Sequence, residues 1–196
     1  MLHPFYLIVD DPQWISRLAP AGLKLVQLRI KNKSGDALMQ SLRQGLTVAR
    51  NEGITLVIND HWQLAIDLKA EWLHLGQEDL EDADLKALRR AGVRIGISTH
   101  TLDELDRALS FEPDYIAIGP VFPARGKQVD YPSLGASGIA KWRQKVTCPL
   151  VAIGGIRLEQ ATELRAAGAD SLCVITDVLA DVDPAARCRA WINATL

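Results

Sequence analysis

Runs of four or five mostly aliphatic residues punctuate this chain, and each gives way to a polar residue or a glycine. They are Phe5 to Val9, Leu25 to Leu28, Thr55 to Ile58, Trp72 to Leu75, Arg94 to Ile97, Tyr115 to Ile118, Leu150 to Ile153 and Ser171 to Ile175. Runs this short and this apolar predict strands covered on both faces, as parallel strands are. The segments between them carry helical spacing; Leu80, Asp84, Leu85 and Leu88 predict an amphipathic helix over 79–91. Glycines at 22, 53, 92 and 168 stand just before the next run, where glycine closes a helix by accepting a left-handed conformation. The order is strand then helix, eight times over. In a chain of 196 residues this predicts one α/β domain over 1–196, a closed (β/α)8 or TIM barrel, with an open doubly wound sheet as the alternative. Such barrels commonly take roughly 250 residues, so some helices and loops must be short, with little room for a lid.

Composition narrows the function classes. A hydrophobic share of 48% with 23% charged residues excludes disorder. The net charge is −2, and Lys and Arg are scattered rather than gathered in a stripe, which argues against nucleic acid as a partner. No stretch of about 18 apolar residues occurs, and Met1-Leu2-His3-Pro4 does not begin a leader, so no membrane partner is expected and a cytoplasmic location is. Cys148, Cys173 and Cys188 have neither CxxC spacing nor an even count and read as reduced filler. The five tryptophans read as packing. Oligomeric state is left open, a homo-oligomer included.

In a barrel the active site is built at the C-terminal strand ends. There the runs finish with Asp10, with Gln27 and Arg29, with Asn59-Asp60, with Gly76-Gln77-Glu78-Asp79, with Ser98, with Gly119, with Gly154-Gly155 and with Thr176. Alternation puts Gln27 and Arg29 on one face and Val26 and Leu28 on the other, towards helices. An inward Arg29 needs a partner. That partner is either Asp10 or Asp60 in a buried ion pair or, with Lys31 adding a second cation, a polyanion such as diphosphate. Asp60 and Asp79 follow adjacent strands, where two carboxylates repel unless a cation joins them; Mg²⁺, which takes few protein oxygens and completes its shell with substrate phosphates, meets that need. Each Asp alone would serve as a helix N-cap, Asp79 before Leu80 above all. Gly154-Gly155 after the seventh run and Ile175-Thr176 after the eighth stand where barrels often hold phosphate on backbone N–H groups, although a glycine pair also marks a tight turn. His74 shares the parity of Trp72 and Gly76, so it either donates to substrate or is a satisfied core histidine. No Ser-His-Asp order, HExxH or Walker loop occurs.

The motifs Gln27-Leu28-Arg29-Ile30-Lys31, Ile58-Asn59-Asp60, His74-Leu75-Gly76-Gln77-Glu78-Asp79 and Ser98-Thr99-His100 come in this order on successive strands. In this the chain resembles the thiamine-phosphate synthase family, from Tyr6 to Thr176. That family joins 4-amino-2-methyl-5-(diphosphooxymethyl)pyrimidine to thiazole phosphate, giving thiamine phosphate and diphosphate. The resemblance implies small-molecule substrates, Mg²⁺ on Asp60 and Asp79, and pyrimidine diphosphate on Arg29, Lys31, Asn59 and Lys127 with Gln27 and Ser98. It gives thiazole phosphate to Gly155, Ile175 and Thr176. Arg29, Lys31, Ser98 and Lys127 carry the catalytic expectation, since departure of diphosphate needs charge neutralisation and alignment rather than a strong base.

One segment departs from the family. Where it usually continues Thr-x-Thr-Lys, this chain reads Ala124-Arg125-Gly126-Lys127, so two hydroxyls are missing and Arg125 is the candidate substitute; the family's usual Ser after the eighth strand is Thr176. A thiazole tautomerase would need a histidine base near the sixth strand, and no His lies between Gly119 and Pro149. A non-catalytic protein that binds thiamine precursors would follow if the altered loop had removed turnover.

Overall fold

The computed structural model describes residues 2–123 and 131–196. The strands are β1 (Phe5–Val9), β2 (Leu25–Leu28), β3 (Thr55–Asn59), β4 (Trp72–Leu75), β5 (Arg94–Thr99), β6 (Tyr115–Ile118), β7 (Leu150–Ile153) and β8 (Ser171–Val174). They pair in sequence order, all parallel, and β1 closes on β8 through Phe5–Leu172, Tyr6–Cys173 and Leu7–Val174. This is the closed barrel expected from the run spacing, not the open sheet.

Around it lie α1 (Gln13–Leu18), α2 (Gly35–Asn51), α3 (Trp62–Asp67), α4 (Asp79–Asp82), α5 (Leu85–Arg90), α6 (Leu102–Leu109), α7 (Gly135–Arg143), α8 (Ala161–Ala166), α9 (Thr176–Leu179) and α10 (Pro184–Thr195). Most are a turn or two long, which is how the barrel fits in so short a chain. The helix expected over 79–91 is broken. Ala83 is extended at ψ 128°, and Asp84 starts a new helix by accepting a hydrogen bond from the Ala87 N–H at 2.8 Å. A cap gained inside the segment outweighed the apolar periodicity that ran through it.

Two cores result from strand alternation. Leu7, Val26, Leu28, Leu73, Ile95 and Ile116 face outwards into a layer shared with the helices, to which α2 adds Leu38, Leu42, Leu46 and Ala49 from one stripe. Helix α10 lays Trp191 flat against Phe5, with ring centroids 5.7 Å apart, across the seam where the barrel closes. Tyr6, Leu25, Val57, Trp72, Tyr115, Val151 and Cys173 fill the barrel itself. All five tryptophans pack, and the three cysteines are free, as expected.

The inner core depends on one glycine. A Cβ at Gly96 would lie 1.9 Å from Cζ of Tyr115, so the tyrosine ring occupies the volume that any side chain at 96 would need. Gly96→Ala should therefore cost about 3 kcal/mol, the upper range for overpacking a core. Urea unfolding checks this; a loss under about 1 kcal/mol would mean the ring has somewhere else to go.

Candidate active site

The polar half of the barrel interior opens at the C-terminal strand ends. Gln27, Asn59 and His74 sit there on β2, β3 and β4 with exposures of 2%, 5% and 7%, and Ser98 on β5 is partly open. Registers of Gln27 with Val57, Asn59 with His74, His74 with Gly96 and Ser98 with Ala117 bring them round one rim. The sequence expectation that strand ends converge on one mouth is met.

His74 is fully satisfied. Its Nδ1 lies 2.7 Å from the Tyr115 hydroxyl and its Nε2 2.6 Å from Ser98 Oγ, while the ring stacks on Tyr115 at a centroid distance of 5.6 Å. Burial lowers its pKa to about 4; Asp60 opposes this and Arg29 adds to it. The imidazole is thus neutral at pH 7. Of the two readings for His74, satisfied core histidine and substrate donor, the bonding supports the first.

The Gln27 amide donates from Nε2 to the Tyr6 hydroxyl at 2.9 Å, and Tyr6 and Tyr115 share a hydrogen bond of 3.1 Å. Gln77 donates to the Ser98 carbonyl at 2.7 Å. Sequence reasoning placed Gln77 on the rim without a role and missed Tyr6 and Tyr115. The tyrosines lay inside apolar runs, yet their parity with Gln27 and His74 was readable, and a buried tyrosine hydroxyl needs a partner.

Asp60 has φ +63°, a left-handed conformation that costs most residues about 1–2 kcal/mol and that Asp and Asn accept most readily after glycine. Its N–H donates to the His74 carbonyl at 2.9 Å, and the tight turn that follows starts α3. Lys31 Nζ bonds the Asp60 carboxylate. Asp79, the first residue of α4, does not cap the helix: its Oδ2 accepts from the Gly76 N–H at 3.0 Å. Burial and the adjacent Asp60 carboxylate raise the Asp79 pKa, against the pull of the Gly76 N–H and of Lys31. The two aspartates expected to be neighbours thus are, with the Asp60 carboxylate disfavouring the charge of Asp79.

Arg29 corrects one of the alternatives. It is exposed at the rim and has no ion pair with Asp10 or Asp60 among the described residues, because β2 has already ended and its side chain has left the barrel interior. On the opposite side, Gly155, Ile175 and Thr176 line a cavity of about 780 Å³ with Pro123, Gly154 and Arg187. Arg187 is held there by Asp177, Nε to Oδ2 at 3.0 Å and Nη2 to Oδ1 at 3.1 Å, and the same Asp177 accepts from the Trp191 indole at 2.7 Å. Lys127, with Ala124, Arg125 and Gly126, lies outside the described residues.

The family model described as "Thiamine monophosphate synthase" matches residues 5–178. A protein of Rhizobium etli named thiamine-phosphate synthase is 48% identical over 195 residues, covering 99% of this chain and 96% of its own. One of Salmonella typhimurium with the same name is 41% identical over 191 residues, covering 97% and 87%. The solved structure of thiamine phosphate pyrophosphorylase from Pyrococcus furiosus superposes with a TM-score of 0.87 at 26% identity, covering 98% of this chain and 95% of that one.

Proposed function

We propose how the site works from one premise: the chain belongs to the thiamine monophosphate synthase family, and its activity is the condensation that forms thiamine phosphate. The tautomerase and the non-catalytic readings are not favoured. The observation that carries the site reading is the junction of Asp60, Asp79 and Lys31 beside a polar ring of buried Gln27, Asn59 and His74 and partly open Ser98.

Two neighbouring carboxylates, one of which raises the proton affinity of the other, form a donor set for a hard dication, and Mg²⁺ typically takes one or two protein carboxylates and substrate phosphate oxygens. Asp60 and Asp79 would hold it. When bound, it neutralises negative charge on the diphosphate. Among the described residues no cluster of three or more His, Cys, Asp or Glu offers an alternative site. Arg29, exposed and without an ion pair among the described residues, and Lys31 supply further cations for the diphosphate, and Lys127 completes them by the family resemblance. Asn59, Gln27 and Ser98 orient the pyrimidine. His74 acts behind Ser98 rather than on the substrate.

The reaction breaks the bond between the pyrimidine methylene carbon and the diphosphate oxygen, with the electron pair leaving on diphosphate. The thiazole nitrogen then supplies the pair for the new C–N bond. The protein need remove no proton from carbon; it must hold the leaving charge and align the two reactants. Gly155, Ile175 and Thr176 in the opposite cavity would take the thiazole phosphate, with Gly154 and Gly155 leaving backbone N–H groups accessible. No helix among the described residues is long and apolar enough to cross a membrane. A cytoplasmic setting goes with the proposal, since highly charged diphosphate substrates do not pass bilayers unaided.

The test of the reading is a coupling assay with both substrates, with and without Mg²⁺. Thiamine phosphate and diphosphate should appear in equal amounts only when Mg²⁺ is present; no product under any condition would refute it. Arg29→Ala should weaken the pyrimidine diphosphate by about tenfold or more, the value of a charge-assisted hydrogen bond, and leave thiazole phosphate nearly unchanged. Calorimetry on each ligand decides this, and equal losses would refute the assignment of the two phosphates to opposite sides.

A further inference from the structure

Five polar side chains run through the barrel as one continuous hydrogen-bonded path: Gln27 to Tyr6 at 2.9 Å, Tyr6 to Tyr115 at 3.1 Å, Tyr115 to His74 Nδ1 at 2.7 Å, and His74 Nε2 to Ser98 Oγ at 2.6 Å. Its ends, Gln27 and Ser98, are both residues assigned above to the pyrimidine. Its middle, Tyr6, Tyr115 and His74, is 1%, 0% and 7% exposed. A buried path of this kind must place every proton on an acceptor, since a stranded O–H or N–H inside a core costs about 1–3 kcal/mol.

That requirement fixes a direction. The Gln27 amide nitrogen can only donate, so the Tyr6 oxygen accepts and the Tyr6 proton is left for Tyr115. The Tyr115 oxygen then accepts, and its own proton has His74 Nδ1 to go to. An imidazole with no carboxylate on either nitrogen is neutral in such a place, so with Nδ1 accepting, the ring proton sits on Nε2 and is given to Ser98 Oγ. Ser98 is thereby satisfied as an acceptor. Among the described residues its hydroxyl proton has no acceptor, and Ser98 alone of the five opens to the mouth of the barrel. The opposite direction would have Tyr6 donate to an amide that already donates to it.

We propose that Tyr6, Tyr115 and His74 are positioning residues that set Ser98 as a hydrogen-bond donor to the substrate, by relaying the direction of the Gln27 amide through the barrel. The proposal rests on the reading that Ser98 faces the pyrimidine, whose ring nitrogens are acceptors. It accounts for two buried tyrosine hydroxyls and for Gly96, where a side chain would take the space in which the Tyr115 ring lies beside His74.

The first test needs no substrate. Long-range proton–nitrogen correlation spectra of the ¹⁵N-histidine-labelled enzyme, with His74→Gln to identify the signal among the four histidines, report which ring nitrogen carries the proton. The expected result is a protonated Nε2 and an imine-type Nδ1; a protonated Nδ1 in the wild type overturns the proposal without reference to any variant. The second test is a double-mutant cycle on kcat/KM for the pyrimidine diphosphate. Tyr115→Phe removes the acceptor–donor link while keeping the ring, and should lower kcat/KM by about tenfold, as for one lost hydrogen bond. Ser98→Ala should then cost several-fold less in the Tyr115→Phe background than in the wild type. Tyr6→Phe serves in place of Tyr115→Phe if the latter does not fold. Costs that simply multiply overturn the relay. Full activity of Ser98→Ala in the wild-type background would instead remove the substrate role of Ser98, and the proposal with it, whatever the tautomer.

Discussion

Asp79→Asn is expected to cut kcat/KM by about 10²–10³-fold, the range for removing one element of preorganised charge stabilisation, and at the same time to leave the metal-free protein no less stable than the wild type. The second half follows from the sign of the shift. Burial and Asp60 raise the Asp79 pKa above its ordinary value. An acid whose folded pKa is raised binds more protons folded than unfolded, so its contribution favours the fold at low pH and is lost as pH rises through the carboxylate range. Asparagine carries no such loss. On the proposed site Mg²⁺ should reverse the order, since it would bind the ionised pair and stabilise the wild type by mass action at pH 7–8, and less near pH 5 where protons compete. Thermal melts with and without Mg²⁺ check this; an equal rise in Tm for Asp79→Asn and wild type would refute the metal site. Asp60→Asn is the companion variant. Asparagine accepts the left-handed backbone at 60 as well as aspartate does, so a loss of activity there cannot be put down to a misplaced turn.

The barrel was legible because its signal is redundant. Eight short runs, apolar on both faces, leave little choice but parallel strands under helices, and the observed ends differ from the runs by no more than two residues: β5 extends through Thr99, and β8 stops at Val174. Residues at strand ends were legible for the same reason. What escaped was anything decided by a single side chain against its neighbours. The extended Ala83 and the new cap at Asp84 split a helix whose apolar periodicity ran on unbroken. Asp60 takes a backbone conformation that no pattern of types announces, because the hydrogen bond from its N–H to the His74 carbonyl exists only once β3 and β4 are paired. The path from Gln27 to Ser98 joins five strands and has no sequence spacing; its trace in the sequence is a glycine inside a strand at 96 and two tyrosines on the inward parity. Arg29 misled in the other direction: alternation put it inside, but the strand ends one residue before it and the side chain lies at the rim.

Gly155→Ala carries the other large effect, and it separates the two meanings of a glycine pair after β7. At φ +64° alanine is strained by about 1–2 kcal/mol in any surroundings. Here the added Cβ would also fall 2.4 Å from the Phe122 carbonyl oxygen and 2.8 Å from that of Pro123, both backbone atoms that cannot turn aside. That stretch is stitched to the end of β7, with the Val121 N–H on the Ile153 carbonyl at 3.0 Å and the Phe122 N–H on the Gly154 carbonyl at 2.9 Å. Moving it shifts one wall of the cavity assigned to thiazole phosphate, and the segment carrying Lys127 begins two residues further on. Gly92→Ala is the control: φ is +75°, nothing lies within 4 Å of its Cβ, and it is remote from the barrel mouth, so it reports the backbone strain alone. Gly92→Ala should cost about 1–2 kcal/mol in urea unfolding and leave kcat/KM unchanged. Gly155→Ala should cost more than that and lower kcat/KM by about 10²-fold, as misplacing a reactant by about 1 Å does, with the loss concentrated in KM for thiazole phosphate. A Gly155→Ala enzyme that is destabilised like the control yet binds thiazole phosphate as the wild type does would reduce the glycine pair to a turn and move the phosphate site elsewhere.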